Sequence, residues 1–286
     1  MSALFELRQV DYHYPDGRPG LQACSMSLRR AGRHAILGPN GSGKTTLLQH
    51  LNGLLRPVTG AVYMDGARID YGRRGLLAVR QQVGMVFQNP DRQLFSAHVY
   101  EDVSFGPLNL GLDEATVRQR VAQALEAVGM ATHANRPVHE LSFGQKKRVC
   151  IAGVLAMQPR ALLLDEPMAG LDMPMQTELA ALLDRLHAQG VTVVLTSHDM
   201  DFAYHWADDI HLMAAGRCVG SFAATALAQH SEALSAAAQP LPTAMRLHTA
   251  LAKRGLVPEH PIARSVDAVL AALHCGHPIM STESIP

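Results

Sequence analysis

Gly38-Pro39-Asn40-Gly41-Ser42-Gly43-Lys44-Thr45, followed by Thr46, has the spacing G-x-x-x-x-G-K-[ST] of a phosphate-binding loop. Before it, Ala35-Ile36-Leu37 reads as the end of a buried strand; after it, Thr46-Leu47-Leu48-Gln49-His50-Leu51 reads as the first turns of a helix. Strand, loop and helix in that order are the context the pattern requires. The glycines let successive backbone N–H groups turn inward as an anion-binding nest, and the helix N-terminus adds its partial positive charge. Lys44 is placed to reach the β- and γ-phosphates, and the Thr45 hydroxyl to ligate Mg²⁺. With four lysines against twenty-one arginines, Lys44 is not background. An ordinary Gly-rich turn is the bland alternative, and the flanking strand and helix argue against it. The chain is expected to bind a nucleoside triphosphate.

The acidic partner of such a loop lies downstream. Ala161-Leu162-Leu163-Leu164 is a continuous apolar run, as in a parallel strand buried on both faces, and it ends in Asp165-Glu166-Pro167. Carboxylates at the C-terminal end of a sheet strand stand where α/β sheets bind ligands. Asp165 suits Mg²⁺, and Glu166 is placed to polarise an attacking water. Val191 to Thr196 reads as the next strand, with His198 just past its end, where it could meet a γ-phosphate. Val83-Gly84-Met85-Val86-Phe87 is a further strand, stopped at Gln88-Asn89-Pro90, so the Gln88 amide could face a bound ion. Ahead of the loop, residues from about Leu4 to Gly66 pattern as antiparallel strands and turns. Within them Tyr14 either stacks on an adenine face or packs.

Residues from about 91 to 158 change character and read as helical. Val117, Val121, Ala124, Leu125 and Val128 share one helix face, closed by Gly129. Leu141-Ser142-Phe143-Gly144-Gln145 opens another helix, so Ser142 and Gly144 sit where N–H groups point toward an anion. Leu179, Leu182, Leu183 and Leu186 mark a further helix, stopped by Gly190. Leu94, Phe95, Val99, Val103 and Phe105 follow Gln88 closely; Pro90, Gly106 and Pro107 are expected to break that segment, leaving part of it exposed. From about Gly216 the pattern loosens into a small helical appendage.

Composition limits the classes open to it. The 286 residues carry a formal net charge of zero, 48% hydrophobic and 17% charged residues, and no basic block. Neither nucleic-acid binding nor electrostatic membrane anchoring is suggested. No apolar run approaches a membrane span, and the N-terminus lacks a signal h-region. Cys24, Cys150, Cys218 and Cys275 are far apart and suit a reducing cytosol. His274-Cys275-Gly276-His277 is the one tight group of soft ligands, a candidate for a transition metal or an incidental cluster.

Taken together, these residues resemble the ATP-binding subunit of an ABC transporter. The phosphate loop, Gln88, Leu141–Gln145, Leu162–Glu166, Ala169-Gly170-Leu171-Asp172 and His198 follow that family's order and spacing from residue 4 to about 217. The Leu141–Gln145 signature is the specific element. A closer resemblance is to energy-coupling-factor cobalt/nickel importer ATPases of the CbiO type. It rests on residues 88–95, on Glu101-Asp102-Val103-Ser104-Phe105-Gly106-Pro107, and on Gly144-Gln145-Lys146-Lys147-Arg148-Val149.

The resemblance implies an α/β fold of the P-loop NTPase type: a mixed sheet core, an antiparallel β subdomain and a helical subdomain, plus the appendage. It places an ABC ATP-binding domain at residues 1–217 and the appendage, expected to serve dimerisation, at 218–286. Tyr14 matches the adenine-stacking aromatic; Gly38 through Thr46 match the phosphate and Mg²⁺ contacts. Gln88, Asp165, Glu166 and His198 match the sensing glutamine, the metal-binding and catalytic acids, and the γ-phosphate switch. Ser142, Gly144 and Gln145 would serve ATP bound on the opposite subunit, with Asp172 across the seam. The implied partners are a second copy or a paralogous ATPase, and membrane subunits docked near residues 88–107, at the cytoplasmic face of the membrane. Phe143, Met168 and Met173 depart from the family pattern, but none removes a group needed for hydrolysis. A phosphate-loop kinase would not need the signature, and a GTPase would need an Asn-Lys-x-Asp motif that the chain lacks. A soluble ABC ATPase acting on DNA or ribosomes is the remaining rival.

Overall fold

The computed structural model describes residues 2–276. In the N-terminal third, β1 (Ala3–His13) and β2 (Pro19–Arg29) bury Phe5, Leu7, Val10, Leu21, Cys24, Met26 and Leu28 in one apolar core. Burial alternates cleanly from Cys24 to Leu28 and is interrupted along β1 by shifts in register. The two strands pair antiparallel, and β1 also pairs with β4 (Thr59–Met64), which hairpins to β5 (Ala67–Arg68); the order is β2-β1-β4-β5. Phe5 stands opposite both Leu28 and Met64, which centres the apolar face.

The second sheet has the order β10-β9-β3-β8-β7-β6. Its members are β3 (Arg33–Leu37), β6 (Val83–Val86), β7 (Ala161–Leu164), β8 (Thr192–Ser197), β9 (Asp209–Ala214) and β10 (Arg217–Ala223). All pairings are parallel except β9 with β10. Every residue of β6, β7 and β8 is buried, as continuous apolar runs require when both faces are covered. Alternation divides these side chains between two cores. Leu162, Leu164, Val193 and Leu195 face the helical layer; Ala161, Leu163, Val194 and Ile36 face the antiparallel sheet.

The helices are α1 (Lys44–Leu51), α2 (Arg73–Gln82), α3 (Val99–Asn109), α4 (Glu114–Ala127), α5 (Phe143–Leu155), α6 (Met173–Ala188) and α7 (Met200–Trp206). The α4 face is the one its periodicity marks: Val117, Val121, Ala124 and Leu125 are buried, and Asp113 caps its N-terminus by accepting from Thr116 N. Asp172 caps α6 in the same way, from Met175 N at 2.9 Å, which puts Met173 at the first helical position.

One expectation is corrected. Gly106 and Pro107 do not break the segment after Gln88; both lie inside α3. Pro107 is tolerated there because the helix ends two residues later, so the missing donor disturbs only the last turn. After β10 come α8 (Ser231–Ala236), α9 (Thr243–Ala252) and α10 (Val266–Gly276). The larger sheet thus continues to Ala223, and helices follow it. The His274-Cys275-Gly276-His277 group lies outside the described side chains. No helix among the described residues is long and apolar enough to cross a membrane.

Candidate active site

Because β3, β8, β7 and β6 are parallel neighbours, their C-terminal ends share one sheet edge. Register sets Leu37 beside Ser197 and Val86 beside Leu164. The residues just beyond are therefore brought together: the loop from Gly38, then His198, Asp165 with Glu166, and Gln88. Asn40 to Thr46, with Gln88, Asp165, Glu166 and His198, line one cleft of about 540 Å³ together with Tyr14, Arg18, Pro19 and Gly20, while Gly38 and Pro39 form the base of the loop behind it.

The loop is shaped by contacts that exclude side chains. A Cβ on Gly38 would lie 2.3 Å from Met213 O, and one on Gly43, at φ +100°, would lie 2.6 Å from Gly20 O. Lys44 is nearly buried and folds back over the loop, its Nζ donating to Gly38 O at 2.7 Å and Pro39 O at 3.2 Å. The same ammonium is 3.7 Å from Glu166 Oε1. Ser42 Oγ is buried with no hydrogen-bond partner, an orphan that a phosphate oxygen would satisfy. The Tyr14 hydroxyl and Thr46 Oγ1 are 2.7 Å apart, which fixes the tyrosine ring at the mouth of the cleft.

The acidic pair is held by its neighbours. Thr45 Oγ1 donates to Asp165 Oδ2 at 2.7 Å, so two hard oxygen donors stand side by side, as Mg²⁺ coordination needs. Thr196 Oγ1 donates to Asp165 Oδ1 at 2.7 Å and accepts from Glu166 N at 2.8 Å. Glu166 has φ 47°, a left-handed conformation that costs a non-glycine residue about 1–3 kcal/mol unless its surroundings enforce it. Its Oε2 accepts from His198 Nδ1 at 2.9 Å, while the imidazole itself is 70% exposed to solvent. This places a carboxylate, an ammonium and an imidazole around one point at the cleft wall.

Ser142, Gly144, Gln145 and Asp172 are not brought to this cleft. Ser142 caps α5 in a reciprocal box: its Oγ accepts from Gln145 N at 3.3 Å, and Gln145 Oε1 accepts from Ser142 N at 3.0 Å. Both Ser142 and Asp172 are exposed. Gly144 is covered by α6, where a Cβ would meet Met175 Sδ at 2.5 Å. Phe143, 42% exposed, occupies the third position of the signature.

The sequence reading assigns no role to two residues of this neighbourhood. Thr196 closes an apolar strand, and a lone threonine there gives no signal beyond its strand-end position. Lys147, on α5, donates to the carbonyls of Glu166, Pro167 and Ala169, and burial pushes its pKa down to about 8. The scarcity of lysine that singles out Lys44 applies equally to Lys147.

Similarity to known proteins covers most of the chain. The ABC transporter family model matches residues 21–169. The energy-coupling factor transporter ATP-binding protein EcfA of Methanothermobacter thermautotrophicus is 46% identical over 239 residues, which span 84% of this chain and 77% of the relative. EcfA2 of Clostridium perfringens is 45% identical over 217 residues, 76% of each chain. Among solved structures, cbiO1 from Clostridium perfringens, part of the ABC transporter complex cbiONQ, superposes with a TM-score of 0.73 at 41% identity, over 82% of this chain and 94% of that one. An ATP-binding cassette solved as a dimer in a post-hydrolysis state with ADP and Pi has a TM-score of 0.71 at 28% identity, over 77% and 98%.

Proposed function

Because the chain belongs to the ABC transporter family of ATPases, we propose that it powers an energy-coupling-factor importer, with cobalt or nickel as the transported ion. The observation that carries the reading is the division of the site. Phosphate loop, Asp165, Glu166, Gln88 and His198 line one cleft, whereas Ser142, Gly144, Gln145 and Asp172 stand apart from it. Two copies facing each other would let each signature close the other's cleft. A paralogous ATPase could take the place of the second copy.

In this reading ATP lies along the nest of Gly41 to Thr46, its adenine against Tyr14. Lys44 and Ser42 hold phosphate oxygens. Thr45, Asp165 and Gln88 would hold Mg²⁺, which would supply positive charge against the phosphates. Glu166 takes a proton from the attacking water, and His198, anchored on Glu166 Oε2, meets the γ-phosphate. Closure of the dimer on ATP and its release after hydrolysis would move a membrane partner.

The docking surface is the segment after Gln88. Val99 and Val103 are fully buried, but Phe95 is 64% and Phe105 49% exposed, their rings edge to face at 4.7 Å. An exposed aromatic pair suits a short helix from a membrane subunit at the cytoplasmic face. No observation favours the DNA- or ribosome-directed rival, and the relatives are named as transporter subunits. The test is co-expression with the neighbouring membrane genes, purification through a tag on this chain, and uptake of labelled cobalt and nickel. Phe95→Glu should lose the membrane partner and uptake while keeping ATP binding. Retention of the partner, or ATPase activity that responds to DNA or ribosomes instead, would overturn the reading.

A further inference from the structure

Lys147 stands in the first turns of α5 and is 2% exposed. Its Nζ donates to Glu166 O at 3.2 Å, Pro167 O at 2.7 Å and Ala169 O at 2.6 Å. An ammonium offers three protons and no acceptor, so these carbonyls saturate it. They are also the carbonyls of the turn that keeps Glu166 at positive φ. A side chain from the helix that begins at Ser142 thus clamps the backbone that presents Glu166.

Phe143 adds a second tie between the same elements. A Cβ on Gly170 would lie 2.9 Å from Phe143 Cε1, so the ring rests directly on that turn. Lys147 Nζ lies 5.4 Å from the ring centroid, within cation–π range. The aromatic residue at the signature's third position therefore covers both the turn and its clamp.

We propose that Lys147, assisted by Phe143, is a positioning residue that couples the signature end of α5 to the turn carrying Glu166. Displacing one end of this linkage displaces the other, so contact at Ser142 from a second subunit is felt at Glu166 of the same chain. The proposal rests on the reading of Glu166 as the group that acts on the attacking water. A lysine buried only for stability would behave differently. Its loss would weaken folding, ATP affinity and turnover together, whereas loss of a positioning lysine lowers turnover selectively. Misplacing a catalytic group by about 1 Å costs about a hundredfold in rate.

The experiment compares the full-length wild type with Lys147→Met, Lys147→Gln and Phe143→Ala, and with Lys146→Met as a control. Among the described residues, the Lys146 side chain pairs with Asp91 at the surface. ATP turnover and ATP equilibrium binding are measured separately, and amide hydrogen exchange is followed by mass spectrometry over residues 166–171. Lys147→Met should lower kcat by about tenfold or more with ATP affinity within about twofold, and should speed exchange in that segment. Lys147→Gln, which keeps two N–H donors, should fall between it and wild type. Phe143→Ala should speed the same exchange to a smaller extent, and Lys146→Met should leave both readouts alone. If Lys147→Met does not fold, the glutamine and Phe143 variants carry the test. Unchanged kcat and exchange in the Lys147 and Phe143 variants would overturn the proposal. So would a fall in turnover matched by an equal fall in ATP affinity. A wild-type chain without ATPase activity would instead remove the reading beneath it, and the exchange result would still report on the clamp.

Discussion

Replacing Thr196 with valine removes one oxygen and keeps the branched shape of a fully buried side chain. That oxygen has two partners: it donates to Asp165 Oδ1 at 2.7 Å and accepts from Glu166 N at 2.8 Å. The bond to the carboxylate is charge-assisted, worth about 1.5–3 kcal/mol, and the bond from the amide about 1 kcal/mol. Thr196→Val leaves both partners in place but unpaired, so the loss should reach about 2–4 kcal/mol. For a chain of this size that lowers the melting temperature by roughly 4–12 °C. The same change frees Asp165 and the strained Glu166 backbone together, so ATP turnover should fall by about tenfold or more. Urea unfolding and steady-state hydrolysis on the same preparation measure the two effects. A variant within about 0.5 kcal/mol of wild type and with unaltered turnover would refute the reasoning that this hydroxyl orders the acidic pair.

Two further outcomes follow from side chains outside the cleft's centre. His34 and His211 are buried and linked, Nδ1 to Nε2 at 3.1 Å, with His34 Nε2 donating to Arg29 O and His211 Nδ1 accepting from Ser221 Oγ. Burial lowers both pKa values, so the folded state keeps them neutral while the unfolded state takes up protons below about 6.5. Their contribution is therefore complete above that pH and is lost as pH falls. Urea midpoints between pH 5 and 8 should slope less steeply in the His34→Gln, His211→Gln double variant, and equal slopes would refute this. Ser142→Asp keeps a capping oxygen, so its melting temperature should stay near wild type, whereas Ser142→Ala should lose about 1 kcal/mol. The aspartate would nevertheless repel phosphates of a facing ATP, so ATP-driven dimerisation should fail; light scattering with ATP decides it.

Legibility in the sequence followed the range of the interactions involved. The phosphate loop, the three buried strands behind it and the α4 face are written in local spacing, and each stands where that spacing puts it. Strand order then carried Gln88, Asp165, Glu166 and His198 to one edge, because parallel strands align their C-terminal ends. Contacts made between distant segments left no such trace. Thr196 meets Asp165 only through the β7–β8 register, and Lys147 reaches its carbonyls from 19 to 22 residues away. The strand β10 was equally hidden, since an edge strand with partly exposed residues and Gly220 lacks a clear alternation. Pro107 misled because a proline two residues from a helix end costs far less than one in its middle.

The central claim is that Glu166 acts in a site completed by a second copy. Glu166→Gln, mixed with ATP and followed by multi-angle light scattering alongside phosphate release, tests it most directly. Turnover should fall by about 10²–10⁴, ATP should still bind, and the chain should collect as a dimer that Ser142→Arg dissolves. Hydrolysis within a few-fold of wild type, or a mass indifferent to ATP and to Ser142, would contradict the account.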